Sequence, residues 1–154
     1  MDWTEIALRL AAATLIGGAL GLNRDLHGKP TGLRTLGLVG LGSAMVVVAV
    51  VSTGPAGTAD FSAASRIIQG ILTGIGFLGA GVIVRGVGTT RVHGLTTAAC
   101  TWLTACLGTV CGFAHAPVIV IALALTIAIL ILGGPIERWF HSRRPPGADN
   151  PSES

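Results

Sequence analysis

Apolar and polar positions divide the chain into five long apolar runs joined by short polar connections. The runs cover about residues 4–22, 35–52, 66–84, 95–112 and 117–136. Each holds roughly 17–20 residues, enough for a helix to cross a bilayer at about 1.5 Å per residue. Barrel strands would be shorter and would alternate in polarity, and these runs do not. Lipid offers the backbone no hydrogen-bond partner, so the spans are predicted to be α-helices. The expected fold class is all-α: a polytopic membrane protein with about five transmembrane helices.

Composition agrees with that reading. Hydrophobic residues make up 51% of the 154 residues and charged ones 11%, against about 25% charged in a soluble domain. The mean hydropathy is +0.74. So few charges exclude a soluble enzyme, a disordered chain and a nucleic-acid-binding domain. The net charge of +3 comes from nine Arg and one Lys, which sit mostly between the apolar runs. Residues 23–34 carry Arg24, Lys29 and Arg34, and residues 85–94 carry Arg85 and Arg91. The segment from 137 carries Arg138, Arg143 and Arg144, whereas 53–65 and 113–116 carry no Lys or Arg. This alternation predicts an outside N-terminus and a cytoplasmic C-terminus. Trp3 and Trp139 suit the two interfaces. Residues 1–136 are read as one membrane domain, and 137–154 as a short polar cytoplasmic tail, predicted to be disordered. The acidic start Met1-Asp2-Trp3-Thr4-Glu5 does not resemble a secretory signal. Cys100, Cys106 and Cys111 share one apolar run, where a thiol behaves as a small hydrophobe.

Small residues mark the helices' close-packing faces. Gly70, Gly74 and Gly81 share one stripe of the third run, with Gly76 and Gly79 on its opposite side. That helix is therefore predicted to be central and packed on two faces. A broken helix exposing carbonyls to an ion is the sharper alternative. On the fourth run Thr97, Thr101, Thr104, Gly108 and Gly112 share a face. It reads as a packing face whose hydroxyls bond nearby carbonyls, or as a polar path. Ala13, Gly17 and Gly21 form a further stripe on the first run. The fifth run is apolar all round and is predicted to face lipid.

No phosphate-binding loop, HExxH motif or carboxylate pair is present, and an enzyme is not expected. The histidines fall in four separate polar segments, so no metal site and no cofactor is expected. The seven acidic residues are Asp2, Glu5, Asp25, Asp60, Glu137, Asp149 and Glu153, all in connections or near chain ends. Mg²⁺ usually needs one or two carboxylates, and none lies mid-span. Arg9 and Arg66 are costly charges near membrane edges. Arg9 is expected to reach outward, and Arg66 has Asp60 as a candidate partner.

Three blocks resemble a known family. The first is Gly21-Leu22-Asn23-Arg24-Asp25 with Gly28-Lys29-Pro30-Thr31-Gly32-Leu33-Arg34-Thr35, Leu38-Val39 and Leu41-Gly42-Ser43-Ala44. The second is Arg66 with Gly74-Ile75-Gly76-Phe77-Leu78-Gly79-Ala80-Gly81-Val82-Ile83. The third is Val92-His93-Gly94-Leu95-Thr96-Thr97-Ala98-Ala99, with Trp102 and Gly108. In this order they resemble the signatures of the MgtC/SapB membrane proteins. Family members usually carry glutamate where Asn23 and Asp25 stand, asparagine at Arg91 and arginine at His93. Many continue into a cytoplasmic regulatory domain, which is not expected here.

The resemblance implies a bacterial inner-membrane protein linked to magnesium limitation, acid stress and, in pathogens, intracellular survival. It implies regulation by binding other membrane proteins, the proton-translocating ATP synthase included. A transporter or channel for Mg²⁺ or another small solute is the alternative. From the residues, Arg24, Asp25, Lys29, Arg34, Arg66, Arg85, Arg91 and His93 are candidates for function. All but Arg66 form one predicted cytoplasmic cluster, read as a partner surface or as a topology signal that also binds lipid phosphate. Membrane lipid and other membrane proteins are the expected partners, and homo-oligomerisation is left open. The topology has a direct check: a cysteine at Ala59 should react with an impermeant maleimide from outside, and one at Gly88 should not.

Overall fold

The structure is a computed structural model that describes residues 1–53, 61–85 and 92–142. These residues form helices α1 (Trp3–Leu26), α2 (Leu33–Thr53), α3 (Phe61–Val82), α4 (Leu95–Gly112) and α5 (Ala116–Ser142). All five are long and apolar enough to cross a membrane. The all-α membrane architecture expected from the apolar runs is therefore present. One addition was not foreseen. Strands β1 (Val84–Arg85) and β2 (Val92–His93) pair antiparallel between α3 and α4, Val84 opposite His93. The predicted Asp60–Arg66 pairing, and Arg91, lie outside the described residues.

Local chemistry sets where helices begin and end. Asp2 opens α1: its carboxylate accepts the Trp3 N–H at 2.8 Å and the Thr4 hydroxyl at 2.5 Å. These bonds hold its carboxyl below the usual carboxylate range, the Thr4 hydroxyl more than the Trp3 N–H. At the other end, Gly28 adopts φ +62°. The Gly28 N–H returns to Asp25 O and the Lys29 N–H to Arg24 O, closing the helix. The connection read as 23–34 is thus shorter, and Arg24 and Asp25 belong to α1. α5 passes through Pro135 and continues to Ser142, into the segment read as a disordered tail.

The core is built from α1, α2 and α4. Gly40 of α2 lies against both neighbours. A Cβ on Gly40 would fall 2.6 Å from Ala13 O of α1, and one on Gly108 of α4 would fall 2.4 Å from Gly40 O. A Cβ on Gly17 would come within 2.3 Å of Leu36 O. These contacts bring backbone onto backbone, the close packing that dispersion rewards in a membrane. Two side-chain clusters fill the remaining space: Ala13, Ala44 and Cys111, and Leu20, Leu36 and Leu107. Ala122, Leu123, Ile127 and Leu130 of α5 pack over the second.

The central helix is α4, not α3. Of the most apolar stretch, 56% of α4 is buried, against 6% of α3 and of α5. Gly70, Gly74, Gly76 and Gly81 of α3 face open space, and only Gly79 has a neighbour, the Ala98 Cβ at 3.7 Å. Glycine on α3 permits close approach on two faces, but α1 and α2 already fill the position beside α4. Stability should follow this geometry. Gly108→Ala is expected to cost about 1–3 kcal/mol through overpacking. Gly74→Ala, with nothing in its way, should stay within about 0.5 kcal/mol of the parent. Melting midpoints in mild detergent check both.

Candidate functional site

The Arg24 guanidinium ties together the end of the bundle that carries the 27–32 loop. Arg24 sits in the last turn of α1 and is 3% exposed. Its Nε and Nη2 donate to Pro30 O at 3.1 and 3.0 Å. Nη2 also donates to the Thr97 hydroxyl at 2.6 Å, and Nη1 to Cys100 Sγ at 3.3 Å. One planar cation thus joins α1, the loop and the first turns of α4, a fork geometry that suits arginine. The ion pair among the described residues is Arg9–Glu5, so Arg24 keeps neutral acceptors only. Its burial is offset by these charge-assisted bonds.

Asp25, next along α1, holds the other side of the loop. Its Oδ2 accepts the Leu33 N–H at 2.9 Å, placing a carboxylate at the start of α2 where free N–H groups and the helix dipole favour it. Gly32 lies directly beneath: a Cβ there would come within 1.8 Å of Asp25 Oδ1. The expected contact surface is corrected accordingly. Arg24 is interior, and the exposed Asp25 has its carboxylate engaged within the chain. Lys29, Arg34 and His93 are exposed at the same end. Arg85 places its backbone in β1. Arg66 is exposed near the start of α3, at the opposite end.

Arg9 works at that opposite end. Its Nη1 donates to Gly112 O at 2.6 Å, at the carbonyl end of α4, and its Nη2 pairs with Glu5. A cation at a helix C-terminus is favourable, so Arg9, while reaching toward the exposed Glu5 at the N-terminal end, also turns onto α4. The Glu5–Arg9 spacing of i, i+4 was the available sequence signal. The Gly112 partner had none.

The α4 stripe is a packing face. Thr97, Thr101 and Thr104 are all buried. Thr101 donates to Thr97 O at 2.9 Å and Thr104 to Cys100 O at 2.7 Å. A Cβ on Gly112 would fall 2.6 Å from the Val47 Cβ. Nor is α3 broken: it runs as one helix from Phe61 to Val82. Among the described residues no group of three His, Cys, Asp or Glu side chains could hold a metal ion.

Fold and site together define a multi-pass helical membrane protein in which Arg9 and Arg24 of α1 are held by the chain itself. The family model described as the MgtC family matches residues 10–139. The chain belongs to that family. Protein SrpB of Synechococcus elongatus is 46% identical over 118 residues, 72% of this chain and 65% of that protein. Protein MgtC of Salmonella typhimurium is 41% identical over 124 residues, 80% of this chain and 48% of that protein. YhiD of Escherichia coli is 40% identical over 115 residues, 70% of this chain and 51% of that protein. The chain thus matches between about half and two thirds of the length of these relatives. No solved structure matches it.

If Arg24 is the tie, its charge alone cannot replace it. Arg24→Lys keeps the cation but cannot reach Pro30, Thr97 and Cys100 together. It should lower stability by about 1.5–3 kcal/mol, the value of lost bonds to a charged group. Lys29→Ala, exposed in the same loop, should leave the melting midpoint unchanged in the same detergent.

Proposed function

We propose that the chain acts in the bacterial inner membrane as a non-conducting regulator. It binds other membrane proteins, with the proton-translocating ATP synthase as the candidate, and adjusts them under magnesium limitation or acid stress. The observation that carries this reading is how the membrane-depth polar groups of α1 and α4 are engaged. The buried threonines of α4 bond carbonyls or Arg24, and Arg24 bonds Pro30, Thr97 and Cys100. Conduction of Mg²⁺ needs oxygen ligands that replace part of a tightly held hydration shell. The face that offered such ligands is closed by α1 and α2: Arg24 covers Thr97, and Gly108 and Gly112 lie against Gly40 and Val47. At the loop end the buried Arg24 and the exposed Lys29 and Arg34 present positive charge, which repels a divalent cation and attracts acidic protein segments.

The transporter reading has one support: the name of the Escherichia coli relative assigns it magnesium transport provisionally. Flux separates the two. Purified protein in liposomes should take up no Mg²⁺ beyond empty liposomes, read with an entrapped dye under an imposed potential. Lys29→Ala with Arg34→Ala should fold normally and weaken a stress phenotype without changing cellular Mg²⁺. Saturable uptake, lost in a folded Thr101→Val variant, would establish transport instead.

A further inference from the structure

The membrane-facing side of α3 carries polar groups that the chain leaves unmatched. Ser65, Gln69, Thr73, Gly76 and Ala80 follow one another at spacings of four, four, three and four, and all are exposed. At about 100° per residue they form a single seam. Its middle is polar: Gln69 and Thr73 lie within about 5 Å, along the axis, of the centre of α3. Neither side chain has a hydrogen bond among the described residues. The contrast with other helices is direct. Thr14, Thr101, Thr104, Thr109 and Thr126 each donate to the carbonyl four residues back. Thr73 does not. At this depth lipid cannot satisfy an amide or a hydroxyl, so a protein partner that supplies hydrogen bonds to Gln69 stabilises the seam. The face that α3 turns to α4 is a separate one, marked by the buried Ile75 and by Gly79 against Ala98.

We propose that the seam pairs with the same seam of a second copy, making a two-fold dimer in the membrane plane. The argument is hydrogen-bond complementarity. A glutamine amide carries both donors and an acceptor, so Gln69 can satisfy Gln69 of a second copy. Two copies inserted with one topology bring α3 onto α3 in parallel, at equal depth. Gln69 then meets Gln69 and Thr73 meets Thr73 without any shift in register, as a self-complementary contact requires. Gly76 and Ala80 on one side and Ser65 on the other are small enough for close approach. The three-and-four spacing matches the shallow left-handed crossing usual for membrane helices. Arg66 lies beside the seam near the start of α3, where its long side chain reaches the headgroups and stays off the dimer axis. The dimer does not depend on the regulatory reading, and it would hold for a transporter too.

Crosslinking and association of the full chain test it, with the partly exposed Cys106 replaced by serine, the buried Cys100 and Cys111 kept, and this parent as the blank. Thr73→Cys should give a disulfide dimer on mild oxidation in native membranes. Leu78→Cys, exposed on another face of α3, should not. In liposomes of the purified protein, energy transfer between labelled copies should show a dimer that dissociates on lipid dilution. Gln69→Leu should weaken it about tenfold without lowering the melting midpoint of the monomer, and Gln69→Asn should restore part of the loss. Equal crosslinking at Thr73 and Leu78 would overturn the proposal. So would a monomer at every lipid density, or a Thr73→Cys crosslink formed only to a different protein.

Discussion

Everything in the core depends on how closely α2 sits between α1 and α4. At Gly40 the backbone of α2 is pressed toward Ala13 O on one side, and Gly108 of α4 comes onto Gly40 O on the other. In water such helices would be driven together by burying apolar side chains. In lipid that drive is absent, and association rests on close packing and on polar bonds. The chain supplies both: close packing through α2, and polar bonds directly between α1 and α4. Arg24 of α1 bonds Thr97 and Cys100 near the start of α4, and Arg9 bonds Gly112 O at its end. As many residues separate Arg9 from Arg24 as separate Thr97 from Gly112. The antiparallel α1 and α4 are thus pinned in one register at both ends, with α2 packed against each through glycine.

That arrangement explains where polar chemistry is absent. Each membrane-depth arginine on α1 is a cost unless it has acceptors, and each acceptor used is one fewer for a passing solute. The neutral partners of Arg24 leave its charge in place at the loop end, where Lys29 and Arg34 add to it. The fold therefore offers a positive rim above a closed three-helix core.

The sequence was most legible where the information is local. The five runs, the limits of α4 at 95–112 and the i−4 bonding of its threonines follow from hydropathy and spacing. The packing faces of α1 and α4 were also readable, because Ala13, Gly17, Gly108 and Gly112 recur at helical spacing. What could not be read was which glycine face meets which. The richest glycine pattern, on α3, stands mostly open, while Gly40 and Ala44 of α2 carry the central contacts at an ordinary four-residue spacing. Arg24 shows the same limit. Its positive charge in a basic loop pattern is a topology signal in one dimension, and its acceptors on α4 are more than seventy residues away in sequence. The Asp25 bond to Leu33 needed the tight turn at Gly28 before it could exist.

The uneven packing also fixes where the molecule can change shape. Moving α1 against α4 would break the Arg9 and Arg24 bonds, and moving α2 against either would separate backbone contacts, so these three behave as one body. Among the described residues, neither outer helix has an arginine bond to the core. α3 meets α4 at Gly79 and Ala98, and at Gly94, which adopts φ +94° with its Cα against Val82 O. α5 rests on the core mainly through Ile119, Ala122, Leu123, Ile127 and Leu130, and it also buries Thr126. Apolar side-chain contacts slide at low cost, whereas a cation leaving all its acceptors in lipid does not. A partner or a second copy that binds from the membrane therefore acts first on α3 or α5. From α3, one route to the Arg24 loop runs through Gly94 and the first turn of α4, where Thr97 holds the guanidinium; from α5, contact reaches the core directly at Leu20 and Leu36.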